Sequence, residues 1–226
     1  MDAMERLALA AAVFLLTHYV ASTPLRGVLV RAIGEDRYLG LYTAVSFLTL
    51  GWLVWAYARA PYSSVWLGDE FKPWAVAIMP VALVLVACGV TTRNPSAVKQ
   101  AGALRSMAEP VGILRVTRHP VMWGIALWAL VHLIARGDTA SILLFGSFLL
   151  LSLSGTVLID ARKGRTLGVE WKRFADVTSN VPFAAILGGR NRFRFEEIGW
   201  RRVLLGLALY AALLLAHPWL FGVRPY

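Results

Sequence analysis

A chain of 226 residues with 58% hydrophobic and 16% charged residues and a mean hydropathy of +0.62 is too apolar for an ordinary soluble domain. Its formal net charge of +10 is spread along loops with no nucleic-acid fold signature, which excludes nucleic acid as a partner and points to membrane lipid with anionic headgroups. Cys88 is the only cysteine, so an internal disulfide and a thiol cluster for zinc or iron–sulfur are excluded, and no Gly-rich phosphate loop, HExxH or GxSxG motif is present.

The expected fold is all-α, a polytopic integral membrane bundle of about six transmembrane helices. Apolar segments run over 5–22, 37–58, 74–91, 120–135, 139–159 and 202–222, each near the roughly 20 residues that cross a hydrocarbon core of about 30 Å. The first is read as a retained helix, because Thr23-Pro24-Leu25-Arg26 follows it in place of a small-residue cleavage site. A short basic loop with Gly34 leads into the second, which ends at Arg59-Ala60-Pro61, and Trp66 and Trp74 are expected at the outer interface. Pro80 is expected to kink the third. The fourth opens at Arg118-His119-Pro120: proline suits the first helical position and pushes His119 towards an extended conformation at the helix N-terminus. The long connections are surface segments near 92–118 and 160–201. The second of these, with its Leu167–Trp171 turn and Val181–Leu187 stretch, is expected to lie on the membrane and cover the mouth of the bundle. The chain reads as a single domain over 1–226.

Six spans place the odd connections on one side. That side carries most of the basic residues, leaving Arg6, Arg59, Lys72, Arg136 and Arg224 to the other. By the positive-inside rule the odd connections are cytoplasmic and both termini face away from the cytoplasm.

This topology sorts the four histidines by depth. His18 and His119 fall near the cytoplasmic end, and His132, 13 residues along the fourth helix from His119, lies about 20 Å deeper. His217 is near the outer end, so His18 can pair with His119 and His132 with His217. Two imidazoles on facing helices can hold a haem between them. Arg26, Arg115 and Arg118 at that level would meet the propionates, and Trp123, one turn from His119, could pack on the cofactor or substrate edge. Cys88 is an alternative ligand in the same layer or a small packing residue. The plainer reading has His18 bonded to a neighbouring helix and His119 capping its own. For His132 and His217 it has single histidines satisfied by local acceptors, with a proton path or a second metal layer as the functional alternative.

Several motifs resemble the NnrU family over nearly the whole chain. They are Thr17-His18 with Ser22-x-Pro24-Leu25-Arg26-Gly27, Tyr38-x-x-x-Tyr42-x-x-x-Ser46, Ala58-Arg59-Ala60-Pro61, Thr92-Arg93-Asn94-Pro95, Gly112-Ile113-x-Arg115-x-Thr117-Arg118-His119-Pro120-x-x-Trp123-Gly124 with His132, and Thr178-Ser179-x-Val181-Pro182-Phe183. The resemblance implies a bacterial inner-membrane protein linked to denitrification and nitric oxide metabolism, homologous to the plant 15-cis-ζ-carotene isomerase, a haem b enzyme. It implies His18 and His119 as iron ligands and catalytic groups, an apolar substrate such as a carotenoid-like polyene undergoing cis–trans isomerisation, and denitrification or respiratory proteins as partners. The alternative is a non-catalytic haem or nitric oxide sensor or assembly factor. Arg118-His119-Pro120-x-x-x-Gly124 also resembles the entry motif of isoprenylcysteine and phospholipid methyltransferases, which implies S-adenosylmethionine as a second alternative. Those enzymes have a pair of glutamates where this chain offers Asp160 followed by Arg162 and Lys163.

Overall fold

The computed structural model describes residues 1–106 and 109–225. Among these residues the regular structure is helical, joined by turns and one isolated bridge between Ser64 and Asp138. Helix α1, Ala3–Tyr19, starts at a reciprocal cap: Glu5 N–H donates to the Asp2 carboxylate and Asp2 N–H to the Glu5 carboxylate, both at 2.8 Å. A 3-10 turn, Val20–Ser22, leads to α2, Pro24–Ile33, which corrects the expectation of a short loop there. Pro24 at the first helical position starts the extra helix, which tolerates Gly27 and ends at Gly34. Gly34, at φ 83, is the single residue separating it from α3, Glu35–Tyr57.

Helix α4, Lys72–Thr91, continues through Pro80. The third connection carries two single turns, α5, Ala103–Ser106, and α6, Ile113–Val116. Helix α7, Pro120–Arg136, begins on its proline and ends in a left-handed Gly137 at φ 64. Asp138 then caps α8, Thr139–Leu167, accepting from Ser141 N–H at 3.0 Å and from its hydroxyl at 2.7 Å. This helix runs roughly two turns past the expected end at 159. No proline interrupts Asp160–Leu167, and the helix stops at Gly168, at φ 53. Three shorter helices follow, α9, Val169–Val177, α10, Ala184–Leu187, and α11, Phe195–Ile198, before α12, Trp200–Phe221.

Five described helices have the length and apolar composition of membrane spans: Ala3–Ser22, Glu35–Tyr57, Asp69–Thr91, Thr139–Leu167 and Trp200–Phe221. The expected fourth span is shorter, since α7 has 17 residues, about 25 Å. The architecture is an all-α membrane bundle in which α3 packs on α1, α1 on α8, α8 on α7, α7 on α4 and α4 on α12. Small residues bring the last three helices together. A Cβ added to Gly124 would stand 2.7 Å from the Ala82 carbonyl, and one on Gly206 would stand 2.6 Å from the Val84 Cα. The 160–201 segment, expected to cover the mouth of the bundle, packs against it through one face of α9 and leaves Val181, Phe183 and Leu187 exposed. Trp171 and Phe174 of amphipathic α9 are buried with Cys88, Leu114 and Ile198, each ring contributing about 1.5–3 kcal/mol of burial.

Candidate functional site

The backbone turn Thr117–His119 organises the polar end of α7. Thr117 hydroxyl accepts from His119 N–H at 3.1 Å and donates to the Asn180 carbonyl at 2.6 Å. The 178–183 segment is strapped across this turn: Arg118 N–H donates to the Ser179 carbonyl at 3.0 Å and Phe183 N–H to the Val116 carbonyl at 2.8 Å. From the other side Asn94 donates through Nδ2 to the Arg118 carbonyl at 3.0 Å.

Asp160, on the extension of α8, is the hub. Its carboxylate accepts from Arg118 Nε at 2.9 and 3.0 Å, from Arg118 Nη2 at 2.6 Å and from Asn180 Nδ2 at 3.1 Å, and it meets His119 Nε2 at 2.7 Å. The His119 side chain is 1% exposed, Arg118 12% and Asp160 18%, so these charges face each other with little water between them. Trp123 Nε1 donates to the Asn180 carbonyl at 2.8 Å, closing a ring of polar contacts around the start of α7. In the sequence Asp160 showed only as a solitary acid, and Asn180 gave no signal beyond its place beside Thr178-Ser179; nothing in local spacing couples positions 42 apart.

Arg115 points elsewhere. Its Nε donates to Glu197 at 2.7 Å, Nη2 to the same carboxylate at 3.1 Å and to Glu109 at 3.3 Å, and Nη1 to Asn191 Oδ1 at 2.8 Å. The Arg115 guanidinium, helped by Gly112 N–H and Arg194, holds the Glu197 carboxyl well below the usual carboxylate range, at about 2. This pair fixes α11 to the turn ahead of α7 and leaves Arg115 outside the His119 cluster.

His18 lies in a second cluster, on the α1 and α3 side of α8. Its Nδ1 is 2.6 Å from the Phe14 carbonyl. A carbonyl can only accept, so Nδ1 carries a proton, and the neutral tautomer that this contact selects has a bare Nε2. The ring packs on Phe14 at 4.2 Å and edge-on to Tyr42 at 6.1 Å between centroids. Tyr42 stacks on Tyr38 at 6.0 Å, and the Arg26 guanidinium lies 5.5 Å over the Tyr38 ring while pairing with Glu35 at 3.0 Å. Arg162, two residues beyond Asp160, donates from Nη1 to the Ala21 carbonyl at 3.2 Å. The Tyr38 hydroxyl is buried without a hydrogen-bond partner among the described residues.

His18 and His119 therefore share one end of the bundle, but among the described residues no hydrogen bond or ring contact joins them. Helix α8 packs against both α1 and α7 and presents Asp160 to one histidine and Arg162 to the surroundings of the other. Toward a haem the two histidines differ. The His18 ring offers a bare Nε2 with its other nitrogen donated to a backbone carbonyl, the usual support of a metal-ligating imidazole; His119 Nε2 is committed to Asp160. Arg26 lies on the His18 side, whereas Arg118 and Trp123 serve the Asp160 and Asn180 contacts. The second expected pair does form: the His132 and His217 rings lie 6.5 Å apart, 24° from parallel. Cys88 is fully buried in the packing around Trp171.

Residues 6–225 match the model of a family described as NnrU protein. Over 114 residues the chain is 32% identical to the chloroplastic 15-cis-zeta-carotene isomerase of Arabidopsis thaliana, a match covering 49% of this chain and 31% of that protein. Over 85 residues it is 38% identical to the chloroplastic 15-cis-zeta-carotene isomerase of Zea mays, covering 36% of this chain and 22% of that protein. Each match spans less than a third of the relative's own length. No solved structure matches the chain.

Proposed function

Because this chain belongs to the NnrU family, we propose that it is a haem b-dependent membrane isomerase that interconverts cis and trans double bonds of an apolar, carotenoid-like polyene. The relatives' names support the reaction class, and a bundle of apolar helices admits such a substrate sideways from the bilayer. Basic residues concentrated on the odd connections support an inner-membrane placement with both termini periplasmic.

The observation that carries the cofactor reading is the His18 ring, with Nδ1 donated to the Phe14 carbonyl and Nε2 bare. His18 would hold the iron, and Arg26 with Arg162 would meet the propionates. A haem held there would supply a redox-active iron able to interact with a double bond or a diatomic gas. His119, fixed by Asp160, orients the entry to α7; serving as a second iron ligand through Nε2 would require the Asp160 contact to open. A donor set of one histidine also favours the second reading, a nitric oxide sensor or assembly factor connected with denitrification, because it leaves iron open to exogenous ligands.

The test is the reduced and oxidised absorption spectrum of the protein purified after expression with ample haem. A stoichiometric b-type spectrum that is lost in His18→Ala and kept in His119→Ala is the expected result. A folded, colourless wild-type protein overturns the haem reading, and the opposite mutant pattern moves the ligand to His119. Incubation of the haem-loaded protein with a cis polyene then separates isomerase from sensor.

A further inference from the structure

At the end of the bundle away from His119, the paired His132 and His217 face a partly open cavity of about 90 Å³ between α4, α7 and α12. His132 Nδ1 is 2.8 Å from the Trp128 carbonyl and His217 Nδ1 is 2.7 Å from the Val223 carbonyl. Both contacts put the proton on Nδ1, so two bare Nε2 acceptors belong to the same cavity. The His217 contact also draws the chain after α12 back over the opening, where Arg224 joins the lining. Elsewhere the walls are apolar, with Ala75, Met79 and Leu213 among them, and Lys72 and Arg136 complete the rim.

Each feature narrows the ligand. A hydrocarbon leaves both Nε2 acceptors without a donor. A metal cation meets Lys72, Arg136 and Arg224 around the same opening, of which Asp69 and Asp138 offset the first two. A carboxylate has no O–H to give to either Nε2 acceptor. A hydroxylated aromatic headgroup satisfies the set: its O–H donates to Nε2, its oxygens accept from the basic rim, and its ring can extend into the open mouth of a cavity far too small for a macrocycle. We propose that this cavity, with His132 and His217 as acceptors, is a binding site for the headgroup of a lipophilic hydroquinone entering from the membrane.

The probe is a decyl-substituted benzohydroquinone, titrated by calorimetry into the full-length protein in detergent, beside its quinone form. One hydroquinone per chain is expected, with weaker binding of the quinone, whose carbonyls cannot donate to Nε2. His132→Phe and His217→Phe each weaken hydroquinone binding about tenfold, the loss of one buried hydrogen bond. Ala75→Phe fills the cavity, leaves both histidines in place and abolishes binding; it decides the matter should the histidine variants fail to fold. Equal affinity for both redox forms, or hydroquinone binding untouched by Ala75→Phe, overturns the proposal. So does stoichiometric zinc or copper(I) binding that depends on both histidines and excludes hydroquinone. A haem spectrum lost in His132→Phe likewise overturns it by assigning His132 to the iron, whereas a spectrum unchanged by Ala75→Phe keeps the two sites distinct.

Discussion

Arg118 and Asp160 meet through three contacts of 2.6 to 3.0 Å, joining the first residues before α7 to the late turns of α8. His119 and Asn180 add to the same carboxylate, so the pair is the centre of a polar network at one end of an otherwise apolar bundle.

Removing one partner leaves the other charge largely shielded from water. Asp160→Ala is expected to lower stability by about 3 kcal/mol, and Arg118→Ala by a similar amount. Arg118→Ala/Asp160→Ala falls well short of their sum, with about 1–3 kcal/mol of coupling. Denaturant or thermal unfolding in one detergent measures all three; additive losses would show that the contact is incidental.

Acid should loosen α11 before neutral conditions affect it. The Glu197 carboxyl is held at about 2 by Arg115, against about 4.3 for a free glutamate. Its contribution to stability is full above the unfolded value and is lost as pH falls from about 4.3 towards 2. Unfolding midpoints measured from neutral pH to pH 3 should fall less steeply in Glu197→Gln than in the wild type. Equal slopes would remove Glu197 from the acid response.

Gly124 and Gly40 provide a matched pair of substitutions. A methyl at Gly124 would meet Val86 Cγ2 at 2.6 Å and the Ala82 carbonyl at 2.7 Å, whereas at Gly40 nothing among the described residues lies within 4 Å. Gly124→Ala should therefore destabilise by about 1–3 kcal/mol through separation of α4 and α7, and Gly40→Ala should leave stability unchanged or slightly raised. Melting temperatures of the two variants check this directly.

The His18 surroundings make a graded prediction. Exchange of haem to an apoprotein acceptor should be faster in Arg26→Gln and in Arg162→Gln than in the wild type, with the axial spectrum unchanged, since neither residue touches the bare Nε2. A blue-shifted or lost spectrum in either variant would place it at the iron.

Hydropathy and the spacing of histidines made depth along the bundle legible. His132 and His217 meet as their levels imply, and His18 and His119 share an end. Neighbour relations around the bundle were not legible, because a run of apolar residues does not say which helices pack together; α8 comes to lie against both α1 and α7. The same limit hid Asp160. Its charge read as a departure from a two-glutamate pattern, while its partners arrive from the turn ahead of α7 and from the segment after α9. Arg115 looked equivalent to Arg118 three residues away, yet the α6 turn sends it to Glu197. The α2 helix was not legible because its ten residues are far short of a membrane span and carry Arg26, Gly27 and Arg31, which read as a basic loop.

The α7–α8 hairpin has a bearing on the order in which the protein assembles during synthesis. Asp138 closes the turn between the two helices, and Arg118 with Asp160 closes their open ends, all within one uninterrupted stretch of chain. As soon as Asp160 has left the ribosome this unit has its own lock at each end, and it waits on nothing from α12. Later residues would then meet a surface already formed: Asn180 would fasten onto the Asp160 carboxylate, and α12 would add against α4. A truncation ending after α9 would retain this folding seed, whereas a break inside α8 before Asp160 would leave Arg118 stranded among apolar helices.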